Sequence, residues 1–218
     1  KQYHDFVSVG APAPLMEAAV AGLTLPNSYY VDFEKIYTEG ITKISATDIS
    51  YMKALNKTIK LLAMGKKVDG KFYGLVSPFA VDNAHPIAGV KYAFNAIFVH
   101  GNMLGDAMFY GSGAGSLPTA SAVSADVIDA AKHLNENMSI LWSEEELTVN
   151  AMDDFERAFF VRVKDSEEAN VKSVFGDVEK IKIPEADGEF GFITKVMKEK
   201  DFAALADKCE IVTRIRVY

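Results

Sequence analysis

One cysteine, Cys209, in 218 residues rules out an intrachain disulfide and, with it, the cysteine-rich kinds of zinc site. No run of five or six lysines or arginines occurs and the net charge is −7, so a phosphate backbone finds no basic footprint and nucleic acid is not an expected partner. No uncharged apolar stretch approaches the roughly 18 residues that a membrane helix needs. The start, Lys1-Gln-Tyr-His-Asp5, leads into no signal-like segment, which gives the expectation of a soluble, cytoplasmic chain with no membrane partner. What is present is hydrophobic content of 49%, enough for one large domain or two small ones.

Charge does not divide the chain, but texture does. All four histidines and 12 of the 15 glycines precede residue 151, whereas the last 68 residues alternate short apolar runs with charged ones. Pro14 to Leu25 reads as a helix bounded by prolines, Asp32 to Tyr37 as a short helix and Ile41 to Ile44 as extended. Ser45 to Asp48 offers N-cap candidates for a helix through Leu55. Thr58 to Val68 alternates around Ile59, Leu61 and Ala63. Asp69-Gly70 then makes a hairpin to Phe72–Val76, which Val76-Ser-Pro-Phe breaks. His85-Pro86 lies in a loop or short helix. Strands at Tyr92–His100 and Asp106–Tyr110 and an amphipathic helix at Thr119–Leu134 follow.

The tail reads as a strand at Arg157–Val163, a helix at Ser166–Phe175 ended by Gly176, strands at Val178–Ile183 and Glu189–Val196, a helix at Glu199–Lys208 and a strand at Glu210–Val217. That is the βαββαβ order of a ferredoxin-like unit. The predicted fold class is α+β, a mainly antiparallel sheet covered by helices followed by the βαββαβ unit. The division falls near Asn150 to Glu156, into regions 1–150 and 151–218.

The loop Gly111-Ser-Gly113-Ala114-Gly115-Ser-Leu-Pro-Thr119 joins a strand to a helix, where backbone amides can approach a ligand phosphate. Its G-x-G-x-G spacing and the lack of a surrounding βαβ unit argue against a self-contained dinucleotide fold. It reads either as a plain connection or as a loop touching a ligand held mainly by another domain. His85 and His100 have no second histidine or carboxylate at ligand spacing, and no metal site is expected. Asp48, Asp106, Asp126 and Asp129 are the carboxylates nearest apolar segments, and Asp129 stands four residues before His133, in reach of a local pairing. Glu144-Glu-Glu146 reads as a solvated run or a helix start. Cys209 lacks a nearby histidine and is a weak nucleophile candidate.

Ile36-Tyr-Thr-Glu-Gly-Ile41-Thr-Lys-Ile44, Asp48-Ile, Ile59-Lys-Leu-Leu-Ala63, Val76-Ser-Pro78, Asn95-Ala-Ile-Phe-Val99, and Gly111-Ser-Gly-Ala-Gly115 with Pro118-Thr-Ala-Ser-Ala-Val123 and Asp126 form a series of motifs that taken together resembles homoserine dehydrogenase. Order and gaps fit over roughly residues 33 to 135, and the tail resembles an ACT domain. The resemblance implies NAD(P)-dependent interconversion of L-homoserine and L-aspartate 4-semialdehyde, in the branch leading to threonine and methionine. It implies that Gly111, Gly113, Ala114, Gly115 and Thr119 close against the cofactor.

The family's N-terminal nucleotide-binding domain has no counterpart in these residues, and the expected aspartate and lysine of proton transfer fall near Pro12 and Met16, which carry no proton. No lysine lies between Lys1 and Lys35. The turn Lys164-Asp-Ser-Glu-Glu-Ala169 lacks the proline-glycine pair that an ACT effector pocket uses. The chain alone is therefore expected to be inactive and to bind no NAD(P) alone. It would work with an upstream or separate nucleotide-binding domain, or serve as a non-enzymatic amino-acid-sensing or regulatory module. Ala120, Val123, Val127, Ile128, Ala131 and Leu134 form an apolar stripe on the 119–134 helix, which leads to the expectation of a homodimer.

Overall fold

Asp69, at φ +49, turns the chain between β4 (Lys57–Val68) and β5 (Lys71–Asp82), which pair antiparallel from Lys57↔Asp82 to Val68↔Lys71. In the computed structural model, which describes residues 4–9, 28–30, 32–69, 71–101, 103, 105–113, 115–136 and 142–218, this hairpin is the centre of the main sheet. Before it come β1 (His4–Val9), β2 (Ser28–Tyr30), β3 (Tyr37–Thr38) and α1 (Ala46–Ala54). After it come β6 (Phe94–Gly101), β7 (Gly105–Ser112), α2 (Ser116–Lys132), β8 (Trp142–Glu146) and β9 (Glu156–Arg157). The tail adds β10 (Phe159–Lys164), α3 (Glu168–Phe175), β11 (Glu189–Ile193), β12 (Met197–Lys198), α4 (Glu199–Ala206) and β13 (Ile211–Val217).

The main sheet has the order β11-β10-β13-β5-β4-β1-β6-β7, with β3 also on β5. Its pairings are antiparallel except β13 on β5 and β3 on β5, so one mixed α/β sheet runs from the tail into the first part. Pro14–Leu25, Pro12 and Met16 lie outside the described residues.

Local signals placed several elements. Ser45 caps α1 through a capping box, its hydroxyl accepting from the Asp48 N–H at 3.2 Å while Asp48 Oδ2 accepts from the Ser45 N–H at 2.8 Å. α2 starts at Ser116, three residues before its predicted start, because Pro118 falls in the first turn, where no N–H is required.

Elsewhere long-range pairing overrode the local reading. β5 does not break at Pro78 but continues to Asp82. The carbonyls of Val76 and Ala80 face away from β4, accepting from Glu39 and Tyr218. Pro78 therefore turns its missing N–H to the gap between β3, which ends opposite Val76, and β13, whose pairing begins at Phe79. Ile41–Ile44 is a turn closed by Ile44 N–H to the Ile41 carbonyl at 3.0 Å, not an extended segment. The 32–37 helix is reduced to a 3-10 turn at Phe33–Lys35 before β3.

Glu144–Glu146 lies in β8, parallel to β2, rather than at a helix start. The predicted strand 178–183 is a single bridge, Ile181 to Gly191, at the sheet edge, where no described residue pairs its other side and Pro184 follows. On β4 the buried face is Leu62 and Met64, and Leu61 is 39% exposed, the reverse of the face predicted from Ile59, Leu61 and Ala63.

Two buried ionic clusters hold the tail to the first part, on opposite faces of β13. On one, Arg162 Nε donates to Asp48 Oδ1 at 3.0 Å and Nη1 to Glu189 Oε2 at 2.6 Å, with Thr213 Oγ1 accepting from Nη2 at 3.2 Å. On the other, Arg216 donates to Glu199 at 2.7 and 3.0 Å, to Glu39 at 2.7 Å and to Ser77 Oγ at 2.7 Å. Arg157 stacks between Phe79 and Phe155, 3.1 Å from Glu199.

Burial alone would raise the Glu39 carboxyl, but the Arg216 hydrogen bond and the charges of Arg214 and Arg216 outweigh it and hold the group below its ordinary value of 4.5. A carboxyl lowered in the folded state stabilises above its ordinary value and loses that contribution as pH falls through the folded one. Urea denaturation at about pH 7 and about pH 3.5 is therefore expected to show a shallower acid loss of stability in Glu39→Gln than in the parent chain. Equal slopes would count against the pairing.

Candidate functional site

Strand register gathers one set of polar groups at a single end of the sheet. The start of β4 lies opposite the end of β5, Lys57↔Asp82. The end of β1 lies beside the start of β6, Val9↔Ala96, and Asn95 on β6 faces Gly111 on β7. Lys60, the 83–93 loop and the glycine-rich loop entering α2 therefore share this end.

Lys60 is half-buried and its Nζ donates to the Val90 carbonyl. Burial, with the charge of Lys91, pushes its amine below the ordinary lysine value. An amine tuned this way is suited to proton transfer or to binding a carboxylate, but its bond to Val90 also pins the loop. His85 caps the 3-10 turn Pro86–Gly89, its Nδ1 accepting from the Ile87 N–H at 3.3 Å, which leaves any ring proton on Nε2. Its ring stands edge-on to Phe98 and Tyr218 at 4.8 and 5.0 Å. Burial lowers its pKa, which favours neutral imidazole.

The glycine-rich loop is exposed on its described residues apart from half-buried Pro118. Gly115, at φ +123, is the N-cap of α2 and supplies no side-chain cap to the first-turn amides. A Cβ on Gly113 would collide with the Asn95 side-chain amide. Bare backbone at both positions suits close approach of a phosphate or ribose edge at a helix N-terminus, so the loop fits contact with a dinucleotide. Thr119 spends its own N–H inside the helix, on the Gly115 carbonyl at 3.2 Å. Its hydroxyl is the group it can offer. Ala114 lies outside the described residues.

Other sequence candidates are dispersed. Asp48 is fully buried and structural. Asp129 reaches His133 at 3.6 Å, the local pairing expected from their spacing. His100, for which no carboxylate was found at ligand spacing, faces Asp106 directly across the β6–β7 turn at 2.5 Å. A hairpin read on paper brings such residues together only once its register is known. Cys209 is half-buried against the tail core, and burial and Glu167 push its thiol up, away from the thiolate. Lys60 was missed. Its signal is a cation between Ile59 and Leu61, beside the apolar run Leu61–Met64.

The family model for homoserine dehydrogenase matches residues 19–128, half of the chain. Homoserine dehydrogenase of Bacillus subtilis (strain 168) is 32% identical over 157 residues, 69% of this chain and 36% of that protein. The enzyme of Corynebacterium glutamicum is 44% identical over 108 residues, 47% of this chain and 24% of that one. The chain thus spans about a quarter to about a third of these relatives' length. Among solved structures, a homoserine dehydrogenase from Thiobacillus denitrificans superposes with a TM-score of 0.76 at 22% identity, covering 99% of this chain and 64% of that one. One from S. aureus gives 0.70 at 20%, covering 100% and 65%. At these identities the structural likeness is one of fold.

Proposed function

Because the chain belongs to the homoserine dehydrogenase family, we propose that it supplies the catalytic-sheet portion of that enzyme, with region 1–150 facing substrate and cofactor and region 151–218 forming an ACT-like tail. The reading rests on one observation above the others: the glycine-rich loop stands at the sheet end shared by Lys60 and His85, and a side chain at Gly113 would have to displace the Asn95 amide. NAD(P), when bound, supplies the hydride acceptor for oxidation of the L-homoserine hydroxyl. This chain's share is positional. The loop's bare backbone and the α2 N-terminus meet the dinucleotide's polar edge, Lys60 pins the 83–93 loop through Val90, and neutral His85 holds the turn beneath it.

The tail's support for an ACT-like reading is the order bridge-β11-β10-β13 with α3 and α4 on one face. The stripe on α2, where Val123, Val127 and Ile128 are exposed, supports association into a homodimer or with a nucleotide-binding domain. Among the described residues no helix is long and apolar enough to cross a membrane.

The 218-residue chain by itself is expected to give no homoserine-dependent reduction of NAD or NADP above the buffer rate, followed by nicotinamide absorbance. A homoserine-dependent rate from the purified chain overturns this reading. A second reading, a non-enzymatic regulatory module, draws on the proline and methionine at positions 12 and 16. It predicts that supplying a relative's nucleotide-binding domain restores no turnover.

A further inference from the structure

The tail reaches the candidate site through Tyr218. β13 lies parallel to β5 with Arg216↔Phe79 and Val217↔Ala80, and the Tyr218 N–H donates to the Ala80 carbonyl at 3.1 Å. That register sets Tyr218 beside the end of β5, from which the 83–93 loop departs. Its ring stands edge-on to Phe79 at 6.2 Å and to His85 at 5.0 Å, both within the range of aromatic pairs. We propose that Tyr218 is a positioning residue of the candidate site: its ring, with that of Phe98, fixes the His85 imidazole as the acceptor that caps the loop's first turn. The contact stands whatever the chain catalyses, and only its place in a dehydrogenase site rests on the family reading.

His85 Nδ1 accepts from the Ile87 N–H at 3.3 Å. A neutral imidazole can do this, but an imidazolium, with two donors and no acceptor, cannot. Protonation therefore costs the cap. Burial favours the neutral ring and outweighs two carboxylates that favour the charged one, Asp106 on β7, which faces His100, and Asp82 on β5, which the Ala84 N–H and Lys57 engage. A histidine lowered in this way contributes stability above its ordinary value and loses it as pH falls from there through the folded one. The two rings against it differ in origin. Phe98 is a buried core residue of β6, whereas Tyr218 is 39% exposed and arrives from the tail.

Ile87 and Val90 are buried and hold the middle of the loop from within, and Lys60 holds Val90 by its carbonyl. What is left for Tyr218 to decide is the imidazole at the loop's start. The tail in turn sets Tyr218. Strand alternation puts it on the face of Arg216, which donates to Glu39 and Ser77 of the first part at 2.7 Å. The ring therefore sits where this ionic cluster places the strand, and docking of the tail is felt at His85.

The test is a pH titration by NMR of the four histidine imidazoles of the intact 218-residue chain, with His85 identified by its loss in His85→Gln, together with amide hydrogen exchange at one pH. In Tyr218→Ala the His85 midpoint is expected to move up toward the ordinary value of 6.5, because water regains the ring. Exchange at the Ile87 N–H should quicken about twofold to tenfold, the worth of one aromatic pair. The Val90 N–H, bonded to the Ile87 carbonyl at 3.1 Å, should keep its rate. Tyr218→Phe, which retains the ring, should match the parent in both. Should Tyr218→Ala fail to fold, Tyr218→Gln, which keeps length but admits water, gives the same reading. An unmoved midpoint, an unmoved Ile87 rate, quickening shared equally by Val90, or a Tyr218→Phe chain that behaves as Tyr218→Ala overturns the proposal. No dinucleotide or turnover enters the measurement, so its failure and that of the dehydrogenase reading are separate results.

Discussion

Alanine at Asp48 is expected to lower the unfolding free energy by about 3 kcal/mol, because removing one partner leaves a buried charge uncompensated. Asp48 is fully buried, and its two oxygens do different work. Oδ1 accepts from Arg162 Nε at 3.0 Å, while Oδ2 accepts from the Ser45 amide and hydroxyl at 2.8 and 2.7 Å. The substitution therefore strips a buried guanidinium of its innermost partner and opens the capping box of α1. Glu189 remains on Arg162 at 2.6 Å, and with its side chain 24% exposed it gives only partial relief.

The cycle partner is Arg162→Met. An apolar pair in place of the charges is expected to be less damaging than the single aspartate change, since Glu189 can then turn to water. Urea denaturation of the parent, both singles and the double measures the coupling. A loss below about 1 kcal/mol for Asp48→Ala, in the range of an exposed pair, would mean that the cluster does not hold the seam.

Valine at Gly191 is expected to cost about 2–3 kcal/mol, in the range of core overpacking. A Cβ there would stand 2.6 and 2.8 Å from the Phe160 ring and 3.2 Å from Tyr51. Both rings are fully buried and neither can swing out. Nor can the strand retreat, because Gly191 bonds Ile181 in both directions, at 2.7 and 2.9 Å, and lies opposite Arg162 on β10. Phe160→Leu in the same chain should recover part of the loss, making the pair non-additive. Chemical denaturation of the four proteins checks it. A Gly191→Val protein as stable as its parent would show that the ring and the strand do not meet.

The elements that local chemistry governs were readable from residues. The Ser45–Asp48 box starts α1, Asp69 turns the hairpin, and Gly176 ends α3 at φ +79. Each acts within a few residues of itself, so one short window holds the whole cause. The glycine-rich loop was legible on the same terms, as backbone that a side chain would spoil.

Other features had no local cause to read. Lys-Leu-Leu-Ala-Met on β4 is apolar on both faces, so alternation could not tell whether Leu61 or Leu62 points inward. Packing in the sheet settled it for Leu62. Pro78 looked like a break because a proline removes a ladder bond, yet β5 needs no donor at that one place. Lys60, His85 and the glycine-rich loop come to one end of the sheet only through the pairings of β4, β1, β6 and β7.

The sequence by itself determined the family, the balance of helix and strand, the exclusion of a disulfide within these 218 residues and the glycine-rich connection into α2. These follow from composition and from motifs contiguous in the chain. Only the tertiary structure decided that the tail continues the sheet through β13, and that Arg162 answers an aspartate 114 positions away. It also decided that Arg216 of the tail is met by Glu39 and Ser77 of the first part. Charge pairing and burial are settled between residues brought together by folding, where each competes for partners that no local pattern names.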